Sequence, residues 1–118
     1  MAIPLETLRR PADFAALQRD GTARAHPLVV VRTARNGLER TRYAFSTGRR
    51  LGGAVVRNRV RRRLREVVRS LLPSVAPGWD VLIVARSGAV SASYAQLREV
   101  VARLFARAGI VRPEEGGG

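Results

Sequence analysis

The sequence predicts a small α+β fold, a sheet with helices packed against it in the order α-β-β-α-β-α. Three observations carry that prediction. The chain has 118 residues, the length of one domain able to bury roughly two thirds of its surface. Segments 28–34, 41–47 and 80–86 have the composition of strands. Segments 11–19, 54–72 and 93–108 carry helical periodicity or helix end signals.

Taken in order, Pro11 suits the first turn of a helix and Gly21 its end, with Phe14 and Leu17 on one face between them. "LVVVRTA" and "TRYAFST" are rich in β-branched and aromatic residues. They flank "RNGLER", whose Asn36-Gly37 pair favours a tight turn, so a β-hairpin is predicted. "DVLIVAR" is an apolar run too short for a helix and reads as a buried strand. Ser93 and Gln96 match a capping box for a helix ending near Ala108. Along it Tyr94, Leu97, Val101, Leu104 and Ala108 form one stripe, and Gly109 supplies the stop. The folded domain is expected over 1–110, with a disordered tail over 111–118 that ends in "EEGGG".

Charge narrows the function. All 22 basic residues are arginines against nine acids, for a net charge of +13. A GC-rich genome accounts for the missing lysine as readily as function does. The net charge itself implies a polyanionic partner, nucleic acid ahead of an anionic membrane. The absence of cysteine excludes disulfides, thiolate chemistry and zinc fingers. The N-terminus lacks the apolar run of a signal peptide and no stretch approaches a membrane span, so a cytoplasmic location without membrane attachment is expected.

The charge concentrates in "AVVRNRVRRRLREVVR", Ala54 to Arg69, where seven arginines face one acid, Glu66. On a helical wheel Val56, Val60, Leu64, Val67 and Leu71 form one stripe. Asn58, Arg62, Arg65 and Arg69 lie opposite, and Arg57, Arg59, Arg61 and Arg63 line the flanks. Such a helix docks through its valines and leucines and presents cations elsewhere, along roughly 28 Å of length. Solubility alone does not call for a single sign of charge, and each like-charged i, i+4 pair costs up to about half a kcal/mol. Only Arg62–Glu66 and Arg63–Glu66 are expected to relieve the repulsion. A phosphate backbone is the natural compensation.

The stretch "GGAVVRNRVRRRLRE", Gly52 to Glu66, resembles the signature helix of the bacterial ribonuclease P protein family, with Arg57-Asn58-Arg59 as its Arg-Asn-Arg core. "ADFAALQRDG", "HPLVVVRTA", "TRYAFSTGRRLG" and "WDVLIVAR" resemble the family's flanking elements in the right order, over about residues 5–108. The resemblance implies a small mixed sheet with a left-handed β-α-β crossover, against the usual right-handed rule. It implies a protein that assists a catalytic RNA in removing the 5′ leader of precursor tRNA. Arg57, Asn58, Arg59, Arg61, Arg62, Arg65 and Arg69 would meet the catalytic RNA. Phe14 would lie in a cleft for the single-stranded leader, stacking on an unpaired base. Gln18 and Arg32 stand where the family often has further aromatics, so charge and hydrogen bonding would replace some stacking there. Arg49 and Arg50 would join Phe14, Gln18 and Arg32 in binding the leader, adding phosphate contacts. Magnesium, engaged by RNA oxygens, would serve the chemistry. The implied partners are the catalytic RNA and precursor tRNA, with no protein partner called for.

The residues themselves supply no catalytic constellation. His26 stands alone beside Pro27, and Asp13, Asp20, Asp80 and Glu99 have no metal-ligand spacing. A self-sufficient nuclease is therefore not expected. A non-catalytic RNA-binding protein, such as a ribosomal protein, shares the size, the charge and the lack of catalytic groups. The Arg-Asn-Arg helix in its flanking context is what separates the two readings.

Overall fold

The computed structural model describes residues 4–113. Its elements run α1 (Pro11–Asp20), β1 (Thr22–Ala25), β2 (Val29–Arg35), β3 (Arg42–Thr47), α2 (Ala54–Leu71), β4 (Trp79–Ala85) and α3 (Tyr94–Ala108), with short 3-10 turns before and after α2 and before α3. The α+β class holds, and the mixed sheet has four strands in the order β1-β2-β4-β3.

The expected hairpin between the second and third strands does not form. β4 lies between them, antiparallel to β2 and parallel to β3. The run that supplies β4 is apolar on both faces, with Val81, Leu82 and Ile83 all buried, and a strand covered on both faces belongs at the centre of a sheet. The Asn36-Gly37 turn does exist, with Gly37 at a φ of 71° and the Asn36 side-chain oxygen Oδ1 accepting from the Leu38 amide at 2.8 Å. It launches a crossing instead of a hairpin. Gly78, leading into β4, accepts from the Asn36 amide and donates to the Arg40 carbonyl, so β4 enters between the two strands. The hairpin actually present joins β1 to β2. Strand β1, "TARA", escaped sequence reading because it is exposed throughout and has no apolar alternation.

Pleating assigns each strand residue to a face. Val29, Val31, Tyr43, Phe45, Val81, Ile83 and Ala85 point to the face covered by α2 and α3, where the main core lies. Ala44 and Leu82 point to the other face, where they form a smaller cluster with Leu8 and Leu17, and Phe14, Ala34 and Val84 pack at its edge. Helix α1 thus covers one face alone and leaves part of it open. The outer edge of β3 is closed by the N-terminal segment, through Leu8 and Glu6 backbone bonds to Tyr43.

Helix ends follow local chemistry. Ser93 and Gln96 form the reciprocal capping box, and Gly109 ends α3 in the left-handed conformation with φ 75°. Of the expected α3 stripe, Leu97, Val101 and Leu104 are buried, with Val100 and Phe105 beside them, while Tyr94 is exposed at the first turn. Gly21 ends α1 for a different reason from the one expected. Its φ is −74°, open to any residue, but a Cβ there would stand 2.3 Å from the Leu17 carbonyl oxygen and 2.7 Å from Arg32 Cγ. Glycine is needed for the close approach of α1 to β2. Past the expected boundary at 110, Val111 bridges to Val75 and the Arg112 amide donates to the Ser74 carbonyl. Residues 114–118 of the expected tail lie outside the described residues.

Candidate nucleic-acid interface

Helix α2 docks through Val60, Leu64, Val67, Val68 and Leu71, all buried, with Val56 half-buried. Val68, absent from the predicted stripe, shifts the buried face by roughly 25° on the wheel. That shift sorts the arginines into two groups. Asn58, Arg59, Arg62 and Arg69 are exposed on the outer surface, while Arg57, Arg61 and Arg65 are half-buried along the flank that faces β3. Arg61 donates to the Thr47 hydroxyl of β3 and, at 2.9 Å, to the Asn58 side-chain oxygen. This leaves the Asn58 amide nitrogen to solvent. The Arg65 guanidinium lies over the Phe45 ring at 5.8 Å. Arg57 Nε is buried without a hydrogen-bond partner.

The expected relief of charge by Arg62–Glu66 and Arg63–Glu66 is not observed. Glu66 pairs with Arg69 at 2.6 Å, and Arg63 donates to the Ala92 carbonyl at 3.1 Å. A turn-later arginine at i+3 and the neighbouring loop carbonyl compete successfully for these groups. Among the described residues Arg59 and Arg62 have no carboxylate partner within ion-pair distance. The outer face of α2 therefore presents unneutralised planar cations suited to phosphate. Val55 stands bare beside them at 81% exposure.

The second candidate surface is the half-open face under α1. Phe14 is half-buried over the cluster of Leu8, Leu17, Ala44 and Leu82, so part of its ring is available to a ligand. Gln18 follows one turn later and is exposed. Arg32 reaches up from β2, donating to the carbonyl oxygens of Gly21 at 3.0 Å and Gln18 at 3.4 Å. It closes the C-terminal end of α1, where a cation is favoured by the helix dipole. Phe14, Gln18 and Arg32 are thus brought together. Arg49 and Arg50 are not with them. They sit, exposed, in the turn between β3 and α2, beyond a strand that carries the chain roughly 17 Å from Arg42.

Helix α1 is held to this face by an ion-pair network. Arg42 of β3 grips the Asp80 carboxylate of its neighbour β4 through two bonds, at 2.9 and 2.8 Å, and reaches Asp13 of α1 at 3.3 Å. Asn36 donates to the same Asp80 at 3.0 Å. The hydrogen bonds to Asp80 push the Arg42 pKa up, burial pushes it down, and the charges of Asp80, Asp13 and Glu6 add to the rise. Burial likewise pushes the Tyr43 phenol above its ordinary pKa.

Three residues of the open face went unnoticed in the sequence. By strand alternation Ser46 and Val84 continue the face of Ala44 and Leu82, and Arg86 extends it one step past β4, its amide still bonded to the Leu28 carbonyl. The period of two in "DVLIVAR" carried that signal, because Leu82, Val84 and Arg86 must share a side.

The Ribonuclease P family model matches residues 4–109. The chain is 44% identical over 106 residues to the ribonuclease P protein component of Roseiflexus castenholzii, covering 89% of this chain and 87% of that one. It is 41% identical over 109 residues to that of Chloroflexus aggregans, covering 92% and 81%. The RNase P protein of Staphylococcus aureus has the same fold, with a TM-score of 0.82 at 24% identity over 92% of this chain and 100% of that one. That of Thermotoga maritima superposes with a TM-score of 0.79 at 25% identity, over 86% and 96%. The chain therefore belongs to the ribonuclease P protein family.

Proposed function

We propose that this chain is the protein subunit of ribonuclease P, binding the catalytic RNA on one side of its sheet and the 5′ leader of precursor tRNA on the other. The observation that carries this reading is the difference in chemical character between the two faces. Arg59 and Arg62 lie exposed on the outer surface of α2, where unpaired guanidiniums suit a broad, structured phosphate backbone. The half-open strip beneath α1 has an aromatic edge at Phe14, which suits an unpaired strand.

In this reading the protein contributes affinity and placement. Arg59 and Arg62 neutralise RNA phosphates directly. Arg61 orients Asn58 so that its amide points outward as a donor. Phe14 stacks on a leader base, with Gln18 and Arg86 within the same strip to meet polar groups of the strand. Arg49 and Arg50, standing between the two faces, meet phosphates where RNA and leader converge. Among the described residues no three His, Asp or Glu side chains cluster so as to hold a metal ion. We assign the magnesium of the holoenzyme to the RNA, and the cleavage chemistry with it.

The test is Phe14→Ala in the reconstituted holoenzyme. Loss of the stack should weaken binding of leader-bearing precursor tRNA by roughly 1–3 kcal/mol, with mature tRNA almost unaffected. Equal losses for both substrates, or a large fall in melting temperature, would show Phe14 to be a packing residue and remove the leader from this face.

A further inference from the structure

A third surface lies away from both of these, on the α3 side of the sheet at the end where β2 finishes and β4 begins. Arg35 and Trp79 are partners across the β2–β4 ladder. The Arg35 guanidinium lies over the indole at 4.6 Å from its centroid. Beside them is a hollow of about 350 Å³ walled by Arg24, Thr22, Thr33, Asp20 and the end of α3 at Ala108. That volume falls at the lower end of the range for small-ligand sites.

The polar groups in this hollow are unevenly committed. Asp20, its one acid, is held by two bonds from Arg19 at 3.1 Å each, which offsets its charge. Arg24 touches the Arg107 and Ala23 carbonyls only at 3.5 Å, the outer limit of a hydrogen bond. Its guanidinium is therefore loosely held and available to an anion. Arg35 is exposed and has no carboxylate partner among the described residues. The indole beneath it is half-buried and packed against the main core, so it works as a fixed floor. A guanidinium held over such a floor keeps its other side open to solvent as a planar, cationic surface.

We infer that this hollow is a binding site for a single unpaired RNA nucleotide, its base stacked on the Arg35–Trp79 pair and its phosphate met by Arg24. Guanidinium planes and aromatic rings are the two surfaces on which unstacked RNA bases settle, and here they are already assembled in series. The Thr22 hydroxyl at the wall offers a donor and acceptor to a ribose or base edge. The site rests on the proposal that the chain binds RNA, and it adds a contact that neither α2 nor the face under α1 can reach.

Trp79 is the only tryptophan in the chain, so its fluorescence reports on this hollow alone. Titration of the full-length protein with a short oligoadenylate should quench the emission, and Arg35→Ala should weaken that quenching by roughly tenfold or more. Arg35→Lys keeps the charge and loses the plane, so it should not restore binding. Arg24→Ala, on the opposite wall, should weaken the quenching independently. Phe14→Ala should leave it unchanged, because that residue lies across the sheet. No quenching, quenching indifferent to both arginines, or full rescue by lysine would overturn the inference. Quenching that disappears in Phe14→Ala would overturn it too, by tracing the signal to the other face. If the precursor tRNA loss in Phe14→Ala is observed while this quenching is not, the proposed function stands and only the third site falls.

Discussion

Replacing Arg59 and Arg62 together by alanine tests the outer face of α2 more cleanly than any other pair in the helix. Both side chains are exposed and neither is committed to a partner, unlike Arg61 on Thr47, Arg63 on Ala92 or Arg69 on Glu66. If each neutralises one phosphate, the double variant loses two contacts. The slope of log K against log salt should then fall by about 1.4–1.8, at 0.7–0.9 per contact. Over a fourfold rise in salt this makes the variant's affinity for the catalytic RNA fall about tenfold less than that of the parent. Affinity at low salt should be weaker throughout. Fold stability should hold or rise by a few tenths of a kcal/mol, because the Arg59–Arg62, Arg59–Arg63 and Arg62–Arg65 repulsions are relieved. Filter binding across a salt series measures the slope, and urea unfolding measures the stability. An unchanged slope with intact fold would mean that these arginines are solvated surface charge, and the assignment of this face to RNA would be wrong.

Two further perturbations address the scaffold. Asp80→Ala leaves Arg42, only 17% exposed in its side chain, with Asp13 alone at 3.3 Å. Removing one partner of a buried pair should cost roughly 3 kcal/mol in urea unfolding, and a loss below about 1 kcal/mol would mean that α1 is held by its apolar contacts instead. The raised pKa of Tyr43 has its own signature. Burial favours the neutral phenol, so the stabilisation is complete below the unfolded-state value near 10 and is lost as pH rises above it. Unfolding free energy should decline there by up to about 1.4 kcal/mol per pH unit, and Tyr43→Phe should flatten the decline; an equally steep fall in that variant would assign the alkaline loss elsewhere.

The parts of the fold that were legible in the sequence are those whose signal is local. The valine–leucine stripe of α2, the Ser93–Gln96 box and Gly109 each announce a helix through neighbours a few residues apart. Strand order is not local. Asn36-Gly37 has the composition of a hairpin turn, and only the apolar saturation of Val81–Ile83 on both faces hinted that β4 would take the central place. β1 was invisible because an edge strand of alanine, threonine and arginine is stabilised by its partner's backbone and not by burial. At the candidate interface, the residue types were legible and their roles were not. Val68 turns α2 enough to leave Arg59, Arg62 and Arg69 exposed and Arg57, Arg61 and Arg65 half-buried, and Arg32 is drawn into closing α1, which depends on the approach that Gly21 permits. Arg86 was overlooked because it sits one residue past the strand, although the alternation of Leu82 and Val84 points to it.

The central claim is that the protein assists an RNA which performs the cleavage. Its most direct measurement is the processing of precursor tRNA at low magnesium by a bacterial ribonuclease P RNA, with and without this chain. No cleavage is expected from the protein alone, little from the RNA alone, and restored cleavage at the mature 5′ end when the two are combined. Cleavage by RNA-free protein after rigorous nuclease controls, or no gain on adding the protein to the RNA, would contradict it.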